Sequence, residues 1–236
     1  MNGKKSLNFD FLDDGPKKAE NTVVEHSQPD ASSQLVSKGE NDVEFLQYFK
    51  ECYTDFDKFS EKYLTRKTPR YFLIAILIYG MGSAADRMIG SIGDYSSWGE
   101  VWVITAIGGL IGGFIAYYIA GTIYHWRVKW SKGHDDENTS KHIWLFSGLP
   151  IAVTGLLSLI FNQMAYGNDY FNGEGTAVDG IILFVSIAAI IYSINISYKA
   201  VRHVQKVEKG RAIWWFIVAP AIFYIIVFGI GFASGL

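Results

Sequence analysis

The stretch VWVITAIGGLIGGFIAYYIAGTIYHWRVKW, residues 101–130, decides how the rest of the chain is read. Its first 24 residues, to Tyr124, carry no charged side chain, and it closes on Trp126, Arg127, Lys129 and Trp130. About 20 apolar residues in a helix cross the roughly 30 Å hydrocarbon core of a bilayer, and aromatics with cations mark its edge. Small residues recur through the stretch. Gly108, Gly112, Ala116 and Ala120 stand at steps of four, beside Gly109 and Gly113. In lipid, apolar transfer gives helices no drive to associate, so rows of small residues matter because they let backbones approach and pack. These six residues are candidates for packing inside the bundle or for contact with another membrane subunit.

Working outward, four more blocks read as spans. Together with the opening stretch they predict an all-α membrane protein, a five-helix transmembrane bundle over 68–236. The spans fall at about 70–89, 101–124, 143–164, 178–198 and 212–233. The first has only 15 uninterrupted apolar residues, YFLIAILIYGMGSAA, so it must run on to Ile89 to cross. That places Asp86 and Arg87 near the far interface. With Asn195, near the end of the fourth span, they are candidate intramembrane polar sites, because ionisable groups at membrane depth mark pathways or pairs. Pro150 is expected to kink the third span and Pro220 to interrupt the fifth.

Loop charge sets the expected orientation. Lys58, Lys62, Arg66, Lys67 and Arg70 precede the first span, and the connector after it has only Arg87 at its membrane edge. Arg127, Lys129, Lys132 and Lys141 follow the second span, and the loop after the third has no Lys or Arg. Lys199, Arg202, Lys206, Lys209 and Arg211 follow the fourth, and the tail has none. Positive charge alternates at each crossing, so the N-terminus is expected in the cytoplasm and the C-terminus outside a cell membrane.

The N-terminal part differs. Residues 1–70 hold 11 of the 21 Lys/Arg and 13 of the 23 Asp/Glu. Residues 1–41 lack any apolar period and cannot bury enough surface to offset chain entropy, so this cytosolic segment is expected to be disordered. Residues 42–67 are expected to form an amphipathic cytosolic helix, with Asn41 or Asp42 as its N-cap. Phe45, Phe49, Cys52, Phe56, Phe59 and Tyr63 recur at steps of 4, 3, 4, 3 and 4, which puts them on one helical face. Phe45, Phe49, Phe56, Phe59 and Tyr63 are a candidate partner face, with packing on the chain's own bundle as the alternative. The opposite face is mixed to acidic, unlike the basic face of a helix that lies on anionic lipid.

No catalytic constellation is visible, and a non-enzymatic protein is expected. His134-Asp135-Asp136-Glu137 with His142 lacks a fixed metal-ligand spacing, and no phosphate-cradling loop is present. No cofactor or metal is therefore expected. The net charge of −2 gives no reason to propose nucleic acid. One cysteine, Cys52, excludes an intrachain disulfide. The expected partners are the lipid bilayer and other membrane proteins, or a second copy of the chain. The competing reading is a transporter or channel using Asp86, Arg87 and Asn195.

The chain resembles the Yip-type domain family. The resemblance rests on a polar N-terminus, five spans with short connectors and the Gly-rich second span running into cations. IWLFSGLP at 143–150 and ISYKAVRHVQKVEKGRAIWW at 196–215 add to it, and the whole covers about 66–236. Eukaryotic members bind small GTPases in vesicle trafficking, but their acidic and aromatic motifs between the first two spans are absent here. The short connectors look bacterial. Bacterial members include YknW-like proteins that accompany ABC-type exporters protecting cells against toxic peptides. The resemblance implies an accessory subunit that assists assembly or operation of such an exporter.

Overall fold

The computed structural model describes residues 44–172 and 177–233. The segment 1–41 and the first residues of the helix expected from 42, with its cap, lie outside the described residues. The described residues from Phe45 onward form one compact unit. Its described regular structure is helical throughout: α1 (44–54), α2 (Phe56–Phe59), α3 (Phe72–Gly90), α4 (Trp98–Trp130), α5 (Glu137–Tyr166), α6 (Ala177–His203), α7 (Lys209–Ile213) and α8 (Ala219–Ala233). Short 3-10 turns cover Ile92–Asp94 and Gly167–Asn172. Among the described residues five helices are long and apolar enough to cross a membrane, and the protein is a multi-pass membrane protein.

The helix expected over 42–67 is interrupted at Asp55, whose backbone leaves the helical region (φ −144°, ψ 70°). A short acidic side chain competes with the helix for backbone donors, and here the Asp55 carboxylate accepts from the Lys58 N–H to restart the chain as α2. A π-helical turn, Ser60–Leu64, follows.

The spans extend beyond their apolar runs because their caps lie in the polar connectors. Ser97 Oγ caps α4 by accepting from the Glu100 N–H at 3.3 Å. Asp136 caps α5, accepting from the Thr139 N–H at 3.1 Å. α5 continues as α-helix through Pro150. In the fifth span the π-helical turn Trp214–Val218 joins α7 to α8 just ahead of Pro220. A wider turn there accommodates a ring that would clash with the carbonyl four residues back.

α3 is the centre of the packing. A methyl at Gly80 would sit 1.9 Å from the Gly109 carbonyl oxygen of α4, and one at Gly82 would sit 2.0 Å from the Ala152 carbonyl oxygen of α5. α3 thus meets two helices backbone to backbone, which only glycine permits. The outside is apolar. Ile107, Ile111, Ile115 and Ile119 of α4, Phe184 of α6 and Phe223 of α8 are exposed, as a lipid surround requires and water would not allow.

The two ends of the bundle are built differently. At the far end, α4 is held by its tryptophans. Trp98 Nε1 donates to the Gly167 carbonyl at 2.8 Å and stacks on Tyr170, while Trp102 Nε1 donates to Gln163 Oε1 at 2.7 Å. At the basic end, the connectors clasp each other. The His134 N–H donates to the Gln205 carbonyl at 2.8 Å, and the Glu208 N–H donates to the Ser131 carbonyl at 2.9 Å.

Candidate functional site

α4 presents two rows of small residues, and they have different surroundings. Val101, Thr105, Gly109, Gly113, Tyr117 and Gly121 recur every fourth residue and are buried. Gly109 lies against Met81, where a methyl would come within 2.6 Å of its Cα, and Gly113 lies against Ile76, 2.7 Å from its carbonyl oxygen. Gly108 and Gly112, one residue earlier, are exposed and have nothing within 4 Å of where a Cβ would stand. Ala116 and Ala120 are half-buried. The six small residues therefore divide between an inner row engaged by α3 and an outer row that no described part of the chain covers at its glycines.

The aromatic face of α1 and α2 packs on its own bundle. Phe56 and Phe59 are buried, while Phe45, Phe49 and Tyr63 are half-buried. Phe45 meets Phe49 and Tyr71, and Phe59 meets Phe146 of α5. The hub is a residue outside the named stripe. Tyr48 is buried and touches Phe59, Tyr63 and Tyr71 edge-on at 4.8–5.1 Å. Its position three residues after Phe45 and four before Cys52 was the signal available. Two backbone carbonyls fasten this face. Tyr192 Oη donates to the Tyr53 carbonyl at 2.6 Å, and His142 Nδ1 donates to the Leu64 carbonyl at 3.0 Å. Cys52 is fully buried in the same core, and burial pushes its thiol well above the range of a free cysteine.

The three candidate intramembrane polar residues do not meet at one place with bonded partners. Asp86, Arg87 and Asn195 are each exposed on the helix surface. A different polar residue lies inside. Asn162 of α5 is fully buried, and neither atom of its amide has a hydrogen-bond partner.

At the basic end, Ser140, His125 and Asp135 stand in a row. His125 Nδ1 lies 3.0 Å from Ser140 Oγ, and Nε2 donates to Asp135 Oδ1 at 2.9 Å. The order matches a nucleophile, a base and an orienting carboxylate, but the environment does not. Ser140 is fully buried, its hydroxyl lies 2.8 Å from the Asp136 carbonyl, and Gln205 Nε2 donates to it at 3.1 Å. No substrate carbonyl can reach such an oxygen, so the row acts as a polar lock between connectors. Asp135 also accepts from Lys129 at 3.0 Å. That bond first, and His125 second, hold its carboxyl below the usual range. Among the described residues no group of three His, Cys, Asp or Glu is placed to hold a metal ion. His134 and Glu137 of the acidic loop turn to other partners: the His134 N–H bonds Gln205, and Glu137 pairs with Lys141.

Beside that lock, Lys67, Thr68, Asn138 and Lys141 come together around Tyr118 and Phe72. The two lysines served only as loop charge in the sequence; no spacing there joins residue 67 to residue 141.

The Yip1 domain family matches residues 53–230 of the chain. No curated protein and no solved structure matches it.

Proposed function

The chain belongs to the Yip1 domain family, and from that premise we propose that it is a non-enzymatic accessory protein that docks on another membrane protein. The complex proposed is an ABC-type exporter whose output is protection against a toxic peptide, and the chain assists its assembly or operation. The observation that carries the docking reading is the outer row of α4. Gly108 and Gly112 leave a flat strip on the bundle surface, with the exposed side chains of Ile107, Ile111 and Ile115 alongside. A partner helix can approach such a strip as closely as α3 approaches the inner row. The proposed placement is in the cell membrane with the basic end in the cytoplasm, supported by the alternation of loop charge.

Affinity purification from native membranes tests this. A stoichiometric membrane partner is expected with the wild type, and Gly112→Leu is expected to cut its recovery about tenfold without changing thermal stability in detergent. Absence of any partner across several detergents would overturn the docking reading, and recovery of only a second copy would replace the exporter with self-association. Saturable solute flux through the purified protein in liposomes would instead support a transporter. Genes for an ATPase and a permease beside this one would favour the exporter.

A further inference from the structure

Where the chain enters α3, a cavity of about 170 Å³ opens between α3, α4 and α5. One water needs roughly 10–15 Å³, so this space takes a group of many atoms. Lys67, Thr68, Asn138 and Lys141 supply its polar wall, and Phe72 and Tyr118 contribute aromatic surface. The net charge of the wall is positive through Lys67, because Lys141, with its side chain only 11% exposed, is paired with Glu137 at 2.7 Å and lies 5.3 Å over the Tyr118 ring. Glu137 is already shared, since Thr122 Oγ1 donates to it at 3.0 Å. Lys67 has no carboxylate partner among the described residues. The Phe72 N–H at the start of α3 is already spent on the Pro69 carbonyl, so the pull on an anion comes from the Lys67 ammonium, with Lys141 beside it.

The surface below the cavity is apolar. Ile115 and Ile111 stand three and seven residues before Tyr118 on the same flank of α4. They are 54% and 57% exposed, against 60% for Tyr118. A polar cationic cup that continues along a helix into an exposed apolar strip matches a molecule with a phosphate at one end and a hydrocarbon chain at the other.

We propose that this cavity binds the phosphate headgroup of an anionic phospholipid through Lys67 and Lys141. Thr68 and Asn138 donate to the phosphate oxygens, and an acyl chain runs along Ile115 and Ile111. The headgroup cavity is separate from the strip proposed for a partner helix, but the acyl path shares Ile111 and Ile115 with it, so lipid and partner compete along that flank.

The test uses the full chain in nanodiscs or mixed micelles, with phosphatidylglycerol and phosphatidylcholine as lipid probes and inorganic phosphate as a soluble competitor. Native mass spectrometry is expected to show phosphatidylglycerol retained over phosphatidylcholine. Lys67→Gln, which leaves the Lys141–Glu137 pair in place, is expected to cut that preference about fivefold, as for one lysine at an anionic surface. Lys141→Gln should act in the same direction. Lys209→Gln, an exposed lysine elsewhere at the basic end, is the control for general surface charge and should leave the preference intact. Thermal unfolding in detergent checks that each variant folds. Equal retention of the two lipids, or an equal loss with Lys209→Gln, overturns the site. Displacement by inorganic phosphate, with no preference between the lipids, would make it a soluble phosphate site and overturn the lipid assignment.

Discussion

Gly108 and Gly109 are neighbours in the chain and opposites in the structure. The same contrast separates Gly112 from Gly113. A helix turns about 100° per residue, so one step moves a glycine from the seam with α3 to the outer surface. In the inner row the missing side chain is filled by another backbone, Met81 for Gly109 and Ile76 for Gly113. In the outer row nothing lies within 4 Å. Composition and spacing are alike in both rows, so a small-residue repeat identifies a packing helix without saying which flank holds the fold together.

The comparison breaks first at Gly80, which faces the inner row. Gly80→Ala forces a methyl onto the Gly109 backbone, which has no side chain to move aside. We expect a loss of about 3 kcal/mol or more, read as failure to purify a folded monomer or as a large fall in Tm in detergent. A wild-type Tm would show that α3 and α4 are not seated this closely. Next comes Gly148→Ala, whose methyl would meet the edge of the Tyr79 ring at 2.9 Å. A ring can swing where a backbone cannot, so the expected cost is about 1 kcal/mol. The sign then reverses. Gly112→Ala meets nothing and replaces a poor helix former, so a gain of about 0.5 kcal/mol is expected. Destabilisation there would show that the outer row is covered within the chain.

Two smaller effects sharpen the same point in the side-chain contacts of the basic end. Cys52 is expected to resist maleimide at pH 8 in the folded protein and to react promptly after denaturation; equal rates would mean that the aromatic core opens. Asp135 has a folded pKa below its unfolded value of 3.8. Its contribution is therefore complete above that value and is lost as pH falls through the lower folded one. Acid titration of Asp135→Asn should lack this small component, measured against the wild type by Tm at pH 5 and pH 3.

Much of the fold was legible in the sequence because the bilayer imposes few rules. The lengths of the apolar runs located five spans, and the family match over 53–230 agrees with the domain read from IWLFSGLP and the exit from the fourth span. What was not legible depends on which side of a helix meets a neighbour. Gly80 and Gly82 sit in a short run, YGMGSAA, that offers a single four-step pair, Gly80 and Ala84, rather than a row, and they became visible as contacts only once α4 and α5 lay on either side. Asp55 falls on the polar face of a regular stripe, and its preference for capping over continuing the helix is a local competition that periodicity does not register. The cavity joins Lys67 to Lys141 across three helices, a relation that only tertiary structure creates.

One contact has a consequence for how the protein is made. Arg127 closes α4, lies over the Phe216 ring and donates through Nε to the Trp215 carbonyl at 2.9 Å, 88 residues further along the chain. While the ribosome is still translating, that carbonyl does not exist. At about 5–20 residues per second, the guanidinium waits on the order of ten seconds for it. Through that interval the nascent bundle carries a cation with no acceptor from its own fifth span. A chain released early, before Trp215, keeps that gap permanently, so arrival of the last helix is the event that completes the basic end.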